Sequence, residues 1–290
     1  MAVRVLTDSS AGLSDDIAEE LGITVIDLHL MESHGKDGAE RSTSGLSSLE
    51  LAAAYGREME RANDDGVVAL HLSKELSSTW SAGVTASGVF PDTVRVIDAG
   101  TAGMSMGAAA MAAAKLAQEG AELDECYAAA IDTLERSKTW LYLNSTEELR
   151  RSGRLSATTA VLSTALLATK PIMAVSDGKL ELVGKTRTQT KAFTKVVELV
   201  ATRAAGEPVF IALQYNGDEE AADKLLDLLE QALPEGSSFM KLPLNDVLAV
   251  HTGDDAIGIS AVFTSAEEAP APKPRFTPRW PGPTEHNQKN

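Results

Sequence analysis

Short apolar runs alternate with amphipathic segments along the first half of the chain. A β-branched run at residues 3–7 predicts a buried strand, and Ser14 stands where it can cap the helix that follows. A further strand is predicted at 23–30, and Ser47 with Glu50 has the spacing of a capping box before the next helix. The alternation then continues with strands at 67–72 and 94–98 and helices at 77–88 and 104–118. This pattern is typical of a parallel sheet with helices on both faces.

The rhythm changes in the second half of the chain. Asp177-Gly178 separates two apolar segments and is a strong signal for a β-hairpin turn. The predicted elements are a strand at 139–143, helices at 145–151 and 157–168, hairpin strands at 172–175 and 180–185, a strand at 209–215, a helix ending at Leu233, and strands at 239–242 and 257–263. A hairpin next to helix-linked strands indicates a mixed sheet covered by helices.

The two patterns together predict an α/β fold in two domains. Residues 1–145 form an N-terminal α/β domain with a parallel sheet sandwiched by helices, and residues 146–265 form an α+β domain with a mixed sheet. A chain of 290 residues is near the size at which one core splits into two. Residues 266–290 are rich in proline and charge, which predicts a disordered tail.

Composition narrows the function classes. A formal net charge of −16 opposes binding to nucleic acid and to an anionic membrane surface. Cys126 is the only cysteine, so the sequence predicts neither a disulfide framework nor a metal site. The N-terminus lacks the pattern of a signal peptide, and no apolar run approaches the roughly 20 residues of a membrane span. We therefore expect a cytoplasmic protein without stable membrane insertion.

Polar side chains stand where the predicted parallel strands end. Asp8, followed directly by Ser9, ends the first strand, and Ser73 and Asp98 end two others. Open parallel sheets bind their ligands at the carboxyl ends of the strands. The site is expected there.

A hydroxyl-rich loop follows the strand at 67–72, with Ser73, Ser77, Ser78, Thr79 and Ser81 in close succession. One interpretation is that Ser77 only caps the next helix, which leaves the other hydroxyls unexplained. The alternative is that these hydroxyls and the free N–H groups of a helix N-terminus bind an anion, for which a carboxylate is a natural candidate.

A second hydroxyl cluster and a histidine extend the candidate site. Thr43 and Ser44 also precede a helix, so the two loops can converge on one ligand, although a capping loop with solvated hydroxyls explains this cluster equally well. His251 follows an apolar run, which places its imidazole at a predicted strand end. There it either donates to an anion or is satisfied by a backbone carbonyl.

Two basic turns, containing Arg154 and Arg187, interrupt an otherwise acidic chain, and Lys170 lies nearby in sequence. These residues either bind a phosphate or join the two domains and satisfy helix carbonyls. The nucleophile elbow, the dinucleotide fingerprint and the P-loop are all missing from the sequence, so we predict no catalytic residue.

Taken in order, these segments resemble the DegV family of bacterial fatty-acid-binding proteins along residues 3–263. The segments that carry the resemblance are TDSSA at 7–11, GITVIDL at 22–28, TSGLS at 43–47, SKELSSTWSA at 73–82, SGRLS at 152–156, KPI at 170–172, KTRT at 185–188 and HTG at 251–253. Ser78 stands where the family motif has glycine. Asp254 and Asp255 stand where it has a Pro-Gly pair.

The resemblance implies a non-catalytic protein that buries the chain of a long-chain fatty acid and needs no cofactor. It implies that Thr43 and Ser77 hold the carboxylate with His251 close by. It also implies a separate fatty acid kinase as partner, which phosphorylates the presented carboxylate. Secondary candidates for the site are Ser44, Ser73, Ser78, Thr79, Asp8, Ser9, Arg154 and Arg187.

Two other functions stay open at this point. One is a kinase-like enzyme acting on a small carbonyl or acyl substrate through Asp8, Lys170 and His251, suggested by a fold relationship to dihydroxyacetone kinases. The other is an interaction or regulatory module whose acidic surface and proline-rich tail bind a protein, with lipid in a structural role only.

Overall fold

The computed structural model describes residues 3–35, 38–63, 65–155 and 169–266. The first sheet has the strand order β2-β1-β5-β6, and all of its strands are parallel. Its strands are β1 (Arg4–Asp8), β2 (Ile23–Ile26), β5 (Val67–His71) and β6 (Val94–Asp98). The helices around it are α1 (Asp15–Leu21), α2 (Ser48–Ala62), α3 (Thr79–Ser87), α4 (Met104–Gln118) and α5 (Leu123–Glu135).

Helices cover both faces of this sheet in two groups. α2 packs on α3, whereas α4 packs on α1 and α5, and both groups contact β1 and β5. The central strand β5 is accordingly buried along its whole length, as expected of a strand covered on both faces. The alanine-rich α4 buries most of its length, because small side chains allow close approach to its neighbours. The predicted parallel sheet with flanking helices is confirmed.

A two-stranded hairpin, absent from the predicted elements, leaves the first sheet after β2. Its strands are β3 (His29–Gly35) and β4 (Gly38–Ser44), which pair antiparallel. The predicted strand at 23–30 therefore ends early, and the hydroxyl cluster predicted as a loop begins on a strand. Leu30 and Met31 are both exposed on β3, so the ribbon lacks the inside–outside alternation by which a strand is recognised.

The second sheet is mixed, with the strand order β11-β10-β12-β7-β8-β9. Only β10 and β11 are parallel, and the other neighbours pair antiparallel. Its strands are β7 (Ser137–Tyr142), β8 (Lys170–Ser176), β9 (Lys179–Thr186), β10 (Phe210–Tyr215), β11 (Ser238–Pro243) and β12 (Ile257–Val262). The accompanying helices are α6 (Glu147–Arg151), α7 (Gln189–Ala204), α8 (Glu219–Ala232) and α9 (Asp246–Thr252). The predicted mixed sheet is confirmed.

Alternation along these strands separates two apolar faces. Trp140 and Tyr142 of β7 belong to a core with α7 and α8, whereas Leu141 belongs to a separate cluster with Met173 and Val175. This second face turns toward the first sheet, because α4 contacts β7, β10 and β12. The space between the two sheets is therefore lined by the inner face of the second sheet.

Several predicted boundaries differ from the structure. Strand β7 pairs with β12 and β8 of the second sheet. The predicted domain boundary after residue 145 assigns this strand to the first domain instead. The division into domains stays a prediction. Helix α7 has no counterpart among the predicted elements. The hairpin turn is confirmed, with Asp177 and Gly178 both at positive φ. The predicted helix at 157–168 and all but the first residue of the predicted tail lie outside the described residues.

Candidate ligand-binding site

An apolar cavity lies between the first sheet and the inner face of the second sheet. The empty space in the cavity and in its opening, the open solvent there included, amounts to about 940 Å³. Its apolar wall is formed by Leu72, Leu76, Leu141, Leu149, Val175, Leu180, Leu244, Val247 and Leu248. The wall is aliphatic over most of its length, so an unbranched hydrocarbon chain fits its chemistry.

Two hydroxyl-bearing segments meet at one end of the cavity, which we call the mouth. Thr43, at the end of β4, and Ser77, before α3, both line the cavity. Gly45 allows the two segments to touch: a Cβ there would lie 2.8 Å from Thr79 Oγ1 and 3.1 Å from Ser77 Oγ. Leu46 N donates to Thr79 Oγ1 over 3.3 Å. The structure thus brings together the two hydroxyl clusters that the sequence predicts to converge.

The Ser77 hydroxyl caps the first N–H of α3, as the alternative interpretation expects, although it is not the N-cap residue of that helix. Ser78 occupies the N-cap position and makes no side-chain capping bond. Ser77 Oγ accepts from Thr79 N over 3.2 Å and lies 2.9 Å from Thr79 Oγ1. Because a hydroxyl oxygen has two lone pairs and one proton, Ser77 keeps hydrogen-bonding capacity toward the cavity.

His251 reaches the mouth from α9 rather than from a strand end, which corrects the sequence-based placement. The apolar run before it forms part of a short helix that packs on β3 and β4, with Val247 buried. His251 Nε2 lies 2.7 Å from Thr43 Oγ1. Burial, and then the nearby charge of Arg154, lower the pKa of His251 to about 4, so its imidazole is neutral at pH 7.

The tautomer of His251 decides what Thr43 can offer a ligand. The Nδ1 atom is buried and has no partner in the described part of the chain. A buried N–H without an acceptor is more costly than an unused lone pair, so the proton belongs on Nε2, which donates to Thr43 Oγ1. The Thr43 hydroxyl then keeps its own proton for an acceptor in the cavity.

Arg154 also lines the mouth, but its guanidinium is engaged by backbone carbonyls. Nε donates to Leu76 O over 3.4 Å, and Nη1 donates to Ser152 O. Beside it, Arg41 and Arg151 border a smaller outer pocket that shares Thr43 and His251 with the cavity. Arg154 therefore brings positive charge to the cavity lining, and Arg41 and Arg151 add more in the outer pocket. The hydroxyls of Thr43 and Ser77 are neutral.

Of the other predicted site residues, only Ser44 lines the cavity. Ser73 is buried and donates to Gly178 O over 2.8 Å, which ties its loop to the β8–β9 turn. Ser9 Oγ accepts from Leu28 N. Thr79 Oγ1 accepts from Leu46 N and lies within hydrogen-bond distance of Ser77 Oγ. Arg187 is exposed and does not line the cavity.

The departures from the family motif lie outside the cavity. The Ser78 side chain would be 3.2 Å from a Cβ on Gly45 and faces that residue rather than the cavity. Asp254 is exposed, and Asp255 accepts from Asn144 Nδ2 over 3.2 Å. Neither aspartate lines the cavity.

Asp8 belongs to a fully buried network at the point where the strand order of the first sheet reverses. His71 Nδ1 lies 3.1 Å from Asp8 Oδ2, and His71 Nε2 lies 2.8 Å from the Tyr55 hydroxyl. Burial, and to a lesser extent the charge of Asp8, raise the pKa of Tyr55 far above its usual range. The network joins β1, β5 and α2, and Asp8 does not line the cavity.

A second polar part of the cavity lining, which we call the floor, was missed by the sequence reasoning. It is formed by Ser10, Gly103, Thr139, Gln214 and Ser260. The strand residues Gln214 and Ser260 alternate with apolar residues of the α7–α8 core. That alternation is visible in the sequence and is the signal that could have identified an inward-facing polar pair.

The residues of the enzyme hypothesis do not share a site. His251 lines the cavity, but Asp8 is enclosed in its own network, and Lys170 donates to both oxygens of Asn144.

Within the described ranges, no group of three or more histidine, cysteine or acidic side chains is placed to hold a metal ion. No helix in the described ranges is long and apolar enough to cross a membrane.

The fold and the cavity define a class: an α/β protein with a parallel and a mixed sheet that enclose an aliphatic cavity with a hydroxyl-lined mouth. The sequence profile of the family described as "Uncharacterised protein, DegV family" matches residues 29–264. The chain belongs to the DegV family.

Known relatives agree with this assignment. A DegV domain-containing protein of Corynebacterium glutamicum is 59% identical over 271 residues, which cover 93% of this chain and 96% of the relative. The crystal structure of a DegV family protein from Corynebacterium glutamicum superposes with a TM-score of 0.88 at 58% identity, covering 92% of this chain and 100% of that one. A Thermus thermophilus structure, described as fatty acid binding of a DegV family protein, superposes with a TM-score of 0.83 at 27% identity. The match covers 90% of this chain and 99% of that one.

Proposed function

We propose that this protein binds one long-chain fatty acid, with the acyl chain in the cavity and the carboxylate at the mouth. The observation that carries the proposal is the convergence of Thr43, Ser77 and His251 at one end of an aliphatic cavity. The description of the Thermus thermophilus relative as fatty acid binding supports it. The affinity comes from the chain, because each buried CH₂ contributes about 0.8 kcal/mol.

Neutral hydroxyls at the mouth suit a carboxylate that must stay reactive. Thr43 and Ser77 donate single hydrogen bonds, which orient an ionised carboxylate and leave lone pairs on both oxygens. A bidentate arginine clamp would instead occupy both oxygens. We propose on this basis that the protein is a non-catalytic carrier, which presents the carboxylate to a separate fatty acid kinase for phosphorylation.

Native mass spectrometry of the purified protein tests the binding proposal. The expected spectrum shows the protein with one added mass in the range of C14 to C18 fatty acids, and delipidated protein regains one equivalent after incubation with stearic acid. A protein that stays empty after incubation with such acids would show that the cavity serves another ligand.

The carrier role needs a separate assay with the catalytic subunit of a bacterial fatty acid kinase and ATP. We expect acyl phosphate, trapped with hydroxylamine, only when loaded protein and kinase are both present. Acyl phosphate formation by the loaded protein and ATP alone would contradict the carrier role, because it would place catalysis in this chain.

A further inference from the structure

The floor of the cavity has hydrogen-bonding groups that a carboxylate at the mouth leaves unused. Ser260 is 2% exposed and lines the cavity. Among the residues that the structure describes, none makes a hydrogen bond with its hydroxyl. The Ser260 hydroxyl keeps its donor and its lone pairs for a ligand that brings a polar group to the floor.

Gln214 supplies a second polar group beside Ser260 and is held rigidly. Its Oε1 accepts from Met104 N over 3.0 Å, and its Nε2 donates to Gly12 O over 3.3 Å. An amide has two donors and two acceptor lone pairs, so one N–H and one lone pair remain for another partner.

Gly103 leaves open space in front of both groups. A Cβ on Gly103 would lie 3.0 Å from Gln214 Oε1 and 3.7 Å from Ser260 Oγ. Gly103 is also at positive φ and lines the cavity. The missing side chain thus exposes the amide and the hydroxyl to the same volume, where one ligand oxygen can contact both.

The floor and the mouth are at different positions along the cavity. Asn245, which caps the start of α9, donates to Ser9 O next to the floor residue Ser10, whereas His251 lies in the last turn of this helix. Seven helical residues span about 10 Å. A ligand anchored by its carboxylate at the mouth therefore reaches the floor with a distant part of its chain.

We infer that the cavity selects a fatty acid that carries a hydroxyl group on the part of its chain distant from the carboxylate. Ser260 and Gln214 bind this hydroxyl. The described lining of the floor has no cationic side chain, which favours a neutral hydroxyl over a second carboxylate. This inference rests on the proposed function, because the mouth must hold the carboxylate for the floor to receive the hydroxyl.

Competition binding of stearic acid and a series of hydroxystearic acids, with the hydroxyl from mid-chain to the ω-carbon, tests the inference. At least one hydroxy acid should bind the wild-type protein at least as tightly as stearic acid. Ser260→Ala should weaken that hydroxy acid about three- to tenfold, the effect of one neutral hydrogen bond, and leave stearic acid unchanged or tighter.

Thr133→Val is the control, because Thr133 is buried, lies outside the cavity lining, and donates its hydroxyl to Ala129 O within α5 over 2.8 Å. It should not alter the preference between hydroxylated and plain acids. If every hydroxy acid binds more weakly than stearic acid, by the same factor in wild type and Ser260→Ala, the inference is wrong. If no acid binds, stearic acid included, the proposed function itself fails.

Thermal unfolding of the empty proteins checks the premise separately. Ser260→Ala removes an unpaired hydroxyl, so its Tm should equal or exceed that of the wild type. A lower Tm would show that the hydroxyl is already satisfied in the empty protein, which would remove the basis for the subsite.

Discussion

The neutral state of His251 follows from its surroundings and gives the free energy of unfolding a pH dependence. Its pKa falls from 6.5 to about 4 on folding. Between these values the unfolded chain binds more protons than the native protein, so stability decreases as the pH is lowered through this window. The total loss is on the order of 3 kcal/mol.

Urea unfolding of the empty protein at a series of pH values measures this effect against His251→Gln. The variant removes the titrating group but leaves the carboxylates, so the difference between the two curves isolates His251. We expect the wild type to lose more stability than the variant between pH 6.5 and 4. Parallel curves would show that His251 titrates normally.

Thr43 is the residue whose hydroxyl is expected to meet the carboxylate directly. Thr43→Val keeps the shape but removes the donor, and a hydrogen bond to a charged group contributes about 1.5–3 kcal/mol. We expect the dissociation constant of stearic acid to rise about 10- to 100-fold. Thr43→Ser, which keeps the hydroxyl, should stay within about threefold. Equal losses in both variants would assign Thr43 a packing role only.

At the scale of elements, the mouth depends on how closely the end of β4 approaches the loop before α3. Gly45→Ala places a Cβ 2.8 Å from Thr79 Oγ1, which must push the two segments apart at a cost of about 1–3 kcal/mol. Isothermal titration should show about tenfold weaker binding of stearic acid, because Thr43 and Ser77 no longer meet one carboxylate.

Gly56→Ala is the matched control for this glycine. Gly56 lies inside α2, and its Cβ would meet only the ring of Phe90, with Cζ at 3.5 Å, an ordinary contact. Alanine should raise stability there by roughly 0.5–1 kcal/mol and leave affinity unchanged. Unchanged binding in Gly45→Ala would mean that the close approach is not needed.

The elements predictable from the sequence are those whose signal is local. The Ser47–Glu50 capping box begins α2 as expected, and α4 spans the predicted residues. The β3–β4 hairpin was not predictable, because Leu30 and Met31 are both exposed and its strand lacks an alternation of buried and exposed positions. His251 was misplaced for a related reason: one apolar run of four residues fits a strand and a helix turn equally well.

The candidate site shows the same division between local and long-range information. The hydroxyls of Thr43 and Ser77 stand out because they cluster in sequence. Gln214 and Ser260 are single polar residues in apolar strands, and their importance appears only when both sheets enclose the cavity. Asp8 was chosen for its place at a strand end, and burial converts it into part of a structural network.

For the molecule as a whole, Gln214 is a bridge between the two sheets. It extends from β10 to the backbone of Gly12 and to Met104 at the start of α4. Gln214→Met leaves both backbone groups without this partner, and each unsatisfied buried group costs about 1–3 kcal/mol. We expect unfolding free energy to fall by about 2–4 kcal/mol in urea denaturation.

Gln118→Met is the comparison for this bridge, because Gln118 also donates to a backbone carbonyl, that of Glu20, but does so at the exposed surface. Its substitution should change stability by less than about 0.5 kcal/mol. Similar small effects for both variants would show that the amide of Gln214 does not hold the two sheets together.

The central claim is that the mouth holds a fatty-acid carboxylate through Thr43 and Ser77, and a crystal structure of the complex with stearic acid tests it most directly. The account predicts carboxylate oxygens within about 3 Å of Thr43 Oγ1 and Ser77 Oγ, with the acyl chain along the leucine wall toward Ser260. A carboxylate in the outer pocket beside Arg41 and Arg151, or an acyl chain outside the cavity, would contradict it.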